Sequence, residues 1–104
     1  MLLIRDIMYC KPGKVRTLVE KFVAISKLSE KAGMGKIRVT TDVCTDRFWT
    51  LVIEFETPSL QHFEEMMVQG KVKNAEAMKE MEALMKGYHD FVDSGRREIY
   101  KIEG

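Results

Sequence analysis

The sequence is short of most features that would mark a specialised protein, and each shortage excludes something. Two cysteines, Cys10 and Cys44, in 104 residues are too few for a disulfide framework and lack the spacing of a metal site. The longest apolar runs, such as Leu2-Leu3-Ile4 and Leu51-Val52-Ile53, fall far below the roughly 20 residues that cross a bilayer. Seventeen basic against sixteen acidic side chains leave a formal charge of +1, so no field of one sign exists to hold nucleic acid or an anionic membrane surface. Arg5 and Asp6 interrupt the N-terminus before a signal-peptide core could form. A cytoplasmic location is the expectation. Two prolines and seven glycines do not make a disordered composition.

What is present is ordinary for a globular chain, 45% hydrophobic and 32% charged. A chain of this size removes roughly two-thirds of its unfolded surface from water, enough for one modest core. One domain over residues 1–104 is expected.

Residues 2–10 alternate, with Leu3, Ile7 and Tyr9 on one side and Leu2, Ile4, Met8 and Cys10 on the other, which reads as a strand covered on both faces. Lys11-Pro12-Gly13-Lys14 stops it. Val15, Leu18, Phe22 and Ile25 then recur at helical spacing until Gly33 and Gly35, predicting an amphipathic helix. Residues 36–45 and 48–56 alternate again around a short turn at Thr45-Asp46-Arg47, predicting a β-hairpin. Thr57-Pro58-Ser59 reads as a helix start with a threonine cap and proline in the first turn. One helix should run from Leu60 to Gln69 and a longer one from about Val72 to Val92, where Gly87 costs about 1 kcal/mol against alanine and permits a kink or early end. Ser94-Gly95 leads to a closing strand over Arg96 to Glu103.

Strand, helix, strand, strand, helix, helix, strand is the order of a ferredoxin-like α+β fold: an antiparallel sheet in the order 4-1-3-2 with its helices on one face. The other face would carry apolar residues of the first strand with Phe48 and Val52, and also Arg38, Asp42 and Glu54. An uncovered apolar patch of that size marks a partner surface, and a second copy is the simplest cover. Cys10 and Cys44, two strand spacings or about 9–10 Å apart, lie beyond disulfide reach.

The element order over nearly the whole chain, the Lys11-Pro12-Gly13-Lys14 opening and Phe55-Glu56-Thr57-Pro58-Ser59 before the second helix resemble the dimeric α/β-barrel superfamily. Within it the chain is most similar to the antibiotic-biosynthesis-monooxygenase-like and NIPSNAP-like groups. The resemblance implies a homodimer whose sheets enclose a barrel, with a small-molecule pocket between sheet and helices. It implies either a cofactor-independent monooxygenase or isomerase acting on a small apolar or aromatic molecule, or a non-catalytic ligand-binding module or scaffold. No cofactor is expected. Haem, with His62 or His89 on the iron, is the alternative that the resemblance offers.

Candidate catalytic residues are His62, on the helix after the third strand, and a strand-borne polar group of Glu54, Asp42 and Tyr9 beside Arg38, for which a structural ion-pair network at a dimer interface is the plainer reading. His89, near the end of the last helix, is favoured by the helix dipole when protonated. Methionines concentrate in the second and third helices, where core packing is their ordinary role. If a ligand is bound, Trp49, Phe63, Met67, Met81 and Tyr88, with His89, would line its site.

Overall fold

The computed structural model describes residues 1–33, 35–65 and 75–104; Met67, Met66 and Gly70 lie outside them. Strand β1 (Leu2–Cys10) leads to helix α1 (Val15–Lys31), then strands β2 (Arg38–Thr41) and β3 (Thr50–Thr57). A helical segment at residues 60–65 (α2) is followed by helix α3 (Ala75–Met85), a 3₁₀ turn (Tyr88–Asp90) and strand β4 (Val92–Lys101). The strands form an antiparallel sheet in the order β2-β3-β1-β4. This is the expected ferredoxin-like arrangement.

Local chemistry accounts for the joints. Between β1 and α1, Lys14 N donates to the Lys11 carbonyl at 3.0 Å while Gly13 takes φ of 80°. Proline after the first residue and glycine at the positive φ are the requirements of a type II turn. The α1 stripe then buries Leu18, Phe22 and Ile25 against Cys10, Leu51 and Ile53, with Met8 beside them. Residues opposite one another share a face, so the register of Met8 with Leu51, Asp6 with Ile53 and Ile4 with Phe55 defines the helix-facing side. Fully burying one such leucine or isoleucine is worth roughly 1.5–3 kcal/mol.

The structure corrects four boundaries. The β2–β3 hairpin is shorter than its alternation suggests, because Asp42 closes it: Thr50 N donates to Asp42 Oδ1 at 2.9 Å and Asp42 N to the Thr50 carbonyl at 3.1 Å. Residues 42–49 become a loop, which removes Asp42 and Phe48 from the sheet and leaves Val43 98% and Phe48 84% exposed. Trp49, at φ of 62°, ends this loop in a conformation rare for a large side chain. The cap of α2 is Ser59, whose Oγ accepts from His62 N at 3.0 Å; Thr57 is the buried last residue of β3. The final helix ends at Met85 because Gly87 takes φ of 81°, and β4 accordingly begins at Val92 rather than Arg96.

Candidate functional site

Alternation along β1 sends Leu2, Ile4, Asp6 and Met8 to the helix-facing side, so a carboxylate stands among apolar neighbours. Its partner is supplied by the sheet itself, since Arg97 of β4 is directly opposite. Arg97 Nε donates to Asp6 Oδ1 at 2.6 Å and Nη2 to Oδ2 at 3.0 Å, a bidentate arrangement that fixes both side chains in a plane. The Asp6 side chain is 20% exposed and that of Arg97 50%. Hydrogen bonding to Asp6 pushes the Arg97 guanidinium further above its usual range, against a smaller opposing effect of burial. The guanidinium carbon also lies 5.4 Å from the centre of the Phe63 ring, which packs on Phe55 at 5.5 Å. That placement is within cation–π range.

This pair stands in a cleft of about 600 Å³ between the sheet and the helices, lined by Met8, Phe22, Ile53, Met85, Tyr88 and Asp6 among others. Gly95, opposite Met8, shapes its floor. A Cβ there would sit 2.8 Å from the Ile7 carbonyl oxygen, so the position admits only glycine without a backbone shift, and the floor stays open where another residue would fill it. At the cleft, His89 is exposed and its ring lies 4.0 Å from that of Tyr88. An apolar enclosure with a few convergent polar groups is the usual make-up of a small-molecule site.

The opposite face of the sheet is polar in an ordered way. Arg38 of β2 faces Glu54 of β3, Glu54 faces Arg5 of β1, and Arg5 faces Glu98 of β4, giving a transverse row of alternating charge. Its ion pairs span 3.3 Å from Arg38 Nη1 to Glu54 Oε1, 3.3 Å from Arg5 Nε to Glu54 Oε2 and 3.7 Å from Arg5 Nη1 to Glu98 Oε1. Arg5 Nε is buried yet out of line for a hydrogen bond. Hydrogen bonds from Tyr100 and then Arg96 hold the Glu98 carboxyl below its usual range, and the same bond to Glu98 raises Tyr100. Tyr9 lies on this face too, hydrogen-bonded by Arg96 and covered by Arg47, whose guanidinium carbon is 4.0 Å from its ring centre.

The residues singled out from sequence therefore separate. Tyr88 and His89 line the cleft, and Phe63 reaches it through Arg97. Met81 packs on the core, Met67 lies outside the described residues, and Trp49 borders a separate recess of about 510 Å³ with Phe48, Asp42 and Val15. Glu54 and Tyr9 stand on the far side of the sheet from the cleft, Asp42 closes the hairpin, and His62 is exposed on α2. Asp6 and Arg97 were legible only as an anomaly of pattern: a charge at an inward position of β1, and another in step with Ile99 on β4. Among the described residues no three His, Cys, Asp or Glu side chains converge to hold a metal, and no helix is long and apolar enough to cross a membrane.

The geometry is that of a ferredoxin-like α+β protein with a cleft between sheet and helices. No protein-family model matches the chain, and no curated protein is similar to it. Solved structures do match along nearly its whole length. An uncharacterised NIPSNAP-like domain protein from Burkholderia xenovorans superposes with a TM-score of 0.71 at 11% identity, covering 98% of this chain and 84% of its own. A proposed antibiotic biosynthesis monooxygenase from Deinococcus radiodurans gives 0.62 at 12%, covering 100% and 94%. A dimeric ferredoxin-like protein from an uncultured marine organism gives 0.65 at 10%, covering 99% and 88%. The likeness is one of fold, and it is the fold that the order of elements implied.

Proposed function

We propose that this protein binds a small apolar or aromatic molecule bearing an oxygen substituent in the cleft, and that it does so as a homodimer joined through the open sheet face. The observation that carries the reading is the Asp6–Arg97 pair, a fixed charge-assisted donor and acceptor set in an open cleft walled by methionine, aromatic and aliphatic side chains together with His89, Asp93, Ser94 and Arg96. Arg97 has N–H groups beyond the two that Asp6 accepts, and these are free to receive a carbonyl, phenol or enolate oxygen. The catalytic form of the reading is cofactor-independent: Asp6 takes a proton from one carbon of the ligand while Arg97 holds the developing oxyanion, and the proton is returned at another carbon in an isomerisation or the anion is oxidised by dissolved dioxygen in an oxygenation.

A non-catalytic binder is the second reading, favoured by the bidentate lock on Asp6, which occupies both of its oxygens. Haem suits these residues poorly, since His62 and His89 are both exposed and His89 already stacks on Tyr88. The dimeric state of a protein of like fold supports the homodimer. Cys10 and Cys44, unpaired with each other, suit a reducing cytoplasm.

Thermal unfolding against a panel of small phenols, quinols and aromatic ketones tests the proposal. A ligand should raise the midpoint for the native protein and not for Arg97→Gln. Product formation with the same ligand would select the enzyme, and a panel without any stabilisation would overturn the cleft as a binding site.

A further inference from the structure

We propose that the recess beside the 42–49 loop is a second binding site, for a small quaternary ammonium compound. Val15, Thr41, Asp42, Phe48 and Trp49 line this space of about 510 Å³, which shares no lining residue with the cleft of Asp6 and Arg97. Val15 is the first residue of α1, so the recess sits at the end of the helix layer and not on the open face. It can be occupied or empty whatever the cleft binds.

Two aromatic rings and a carboxylate around one space are the components of a cage for a cation without N–H groups: the rings present their negative faces and the carboxylate supplies the countercharge. Asp42 is the one charged residue of the lining. Lys14 and Arg16, on either side of Val15, are exposed and do not line it. The neighbouring cation of the loop is turned away, since the Arg47 guanidinium carbon lies 4.0 Å from the Tyr9 ring centre. Among the described residues neither Phe48 nor Trp49 stacks on another aromatic ring or receives a cation of the chain.

The cage is also held in shape. Asp42 Oδ1 accepts from Thr50 N at 2.9 Å and Asp42 N donates to the Thr50 carbonyl at 3.1 Å, which leaves Oδ2 to face a ligand. Trp49 stands at φ of 62° with its carbonyl accepting from Cys10 N at 2.8 Å. A large side chain in that region costs roughly 1–3 kcal/mol, and such strain collects at ligand clamps. The local charge has the sign that a cation requires: burial pushes the Cys10 thiol up, and Asp42 and then Asp93 push it further. What penalises a thiolate there favours a cation.

Other ligand classes fit less well. A neutral apolar molecule would strip water from the Asp42 carboxylate and return nothing, and an anion would be repelled by it. A primary ammonium needs an acceptor for each of its N–H groups, and the lining side chains offer only Asp42 and the Thr41 hydroxyl.

Trp49 is the only tryptophan of the chain, so intrinsic fluorescence reports on this recess directly. Choline chloride should give a saturable change with the native protein. The uncharged alcohol in which a tert-butyl group replaces trimethylammonium should bind at least about fivefold more weakly. Phe48→Leu, at an exposed position, and Asp42→Asn, which keeps the acceptor for Thr50 N, should each weaken choline at least about threefold. Equal binding of the uncharged analogue overturns the cation site without any variant having to fold, and unchanged affinity in both variants overturns it as well. A response no larger than that to sodium chloride at equal ionic strength removes the site altogether. A response to phosphatidylcholine vesicles without one to choline assigns the recess to a membrane surface and overturns the free compound as its occupant.

Discussion

The two faces of the sheet solve the same problem, a charged residue in mid-strand, in different ways. Toward the helices one carboxylate, Asp6, is locked by one guanidinium in a cleft that mixes apolar side chains with His89, Asp93 and Ser94. On the other face Arg5, one residue earlier, belongs to a row shared among four strands. An isolated bidentate pair holds one geometry and leaves spare donors for a visitor, whereas a shared row spreads its inner charges, Glu54 and Arg5, over two neighbours each and presents a pattern instead of a point. The first is suited to a small ligand and the second to a large matching surface.

Several substitutions would break or sharpen that contrast. The largest effect belongs to neither polar system but to the packing beneath the helix-facing side. Leu18 and Leu51 are fully buried, and replacing either by alanine should cost about 2–5 kcal/mol in urea unfolding. Gly95→Ala comes next, at about 1–3 kcal/mol, since the added methyl must push against the Ile7 carbonyl. Asp6→Ala should cost about 1 kcal/mol, a figure reduced because Arg97 is half exposed. Asp6→Leu with Arg97→Met should recover that loss and still abolish ligand stabilisation, separating the pair's structural share from its binding role.

The smallest effect concerns acid. Glu98 titrates below its ordinary value because Tyr100 and Arg96 hydrogen-bond it. Its contribution is complete above the ordinary carboxylate pKa and disappears as pH falls through the lowered one. Tyr100→Phe should flatten the stability profile across that acid window by lowering stability at neutral pH, with little change below the window. An unaltered profile would mean that the row does not hold Glu98 in solution.

The fold was legible because its signals are periodic: the α1 stripe, the alternation of β1 and the Pro12-Gly13 turn each needed only near neighbours. The hairpin is shorter than its pattern because Val43, Cys44, Phe48 and Trp49 continue an alternation that the Asp42–Thr50 bonds cut short. Nothing in periodicity reports a side chain that closes a loop. The site was less legible still. Asp6 and Arg97 are 91 residues apart, and only register across β1 and β4 joins them, whereas the chemistry of a histidine or tryptophan is visible in sequence without its position. Arg38 and Glu54 are visible in the sequence as a polar group on one face, but the complete row needs the register that sets Glu98 of β4 opposite Arg5.

Strand β4 has one further consequence. It borders the sheet, with β1 on one side and no strand on the other among the described residues, and at ten residues it offers a long run of backbone donors and acceptors of the kind that recruits stray strands into aggregates. Arg96, Arg97 and Glu98 stand consecutively at its middle, so charge projects from both faces of that margin at once. An incoming strand would have to bring its own side chains alongside them, and the residues that organise the two faces thereby also guard the border between them against misassembly.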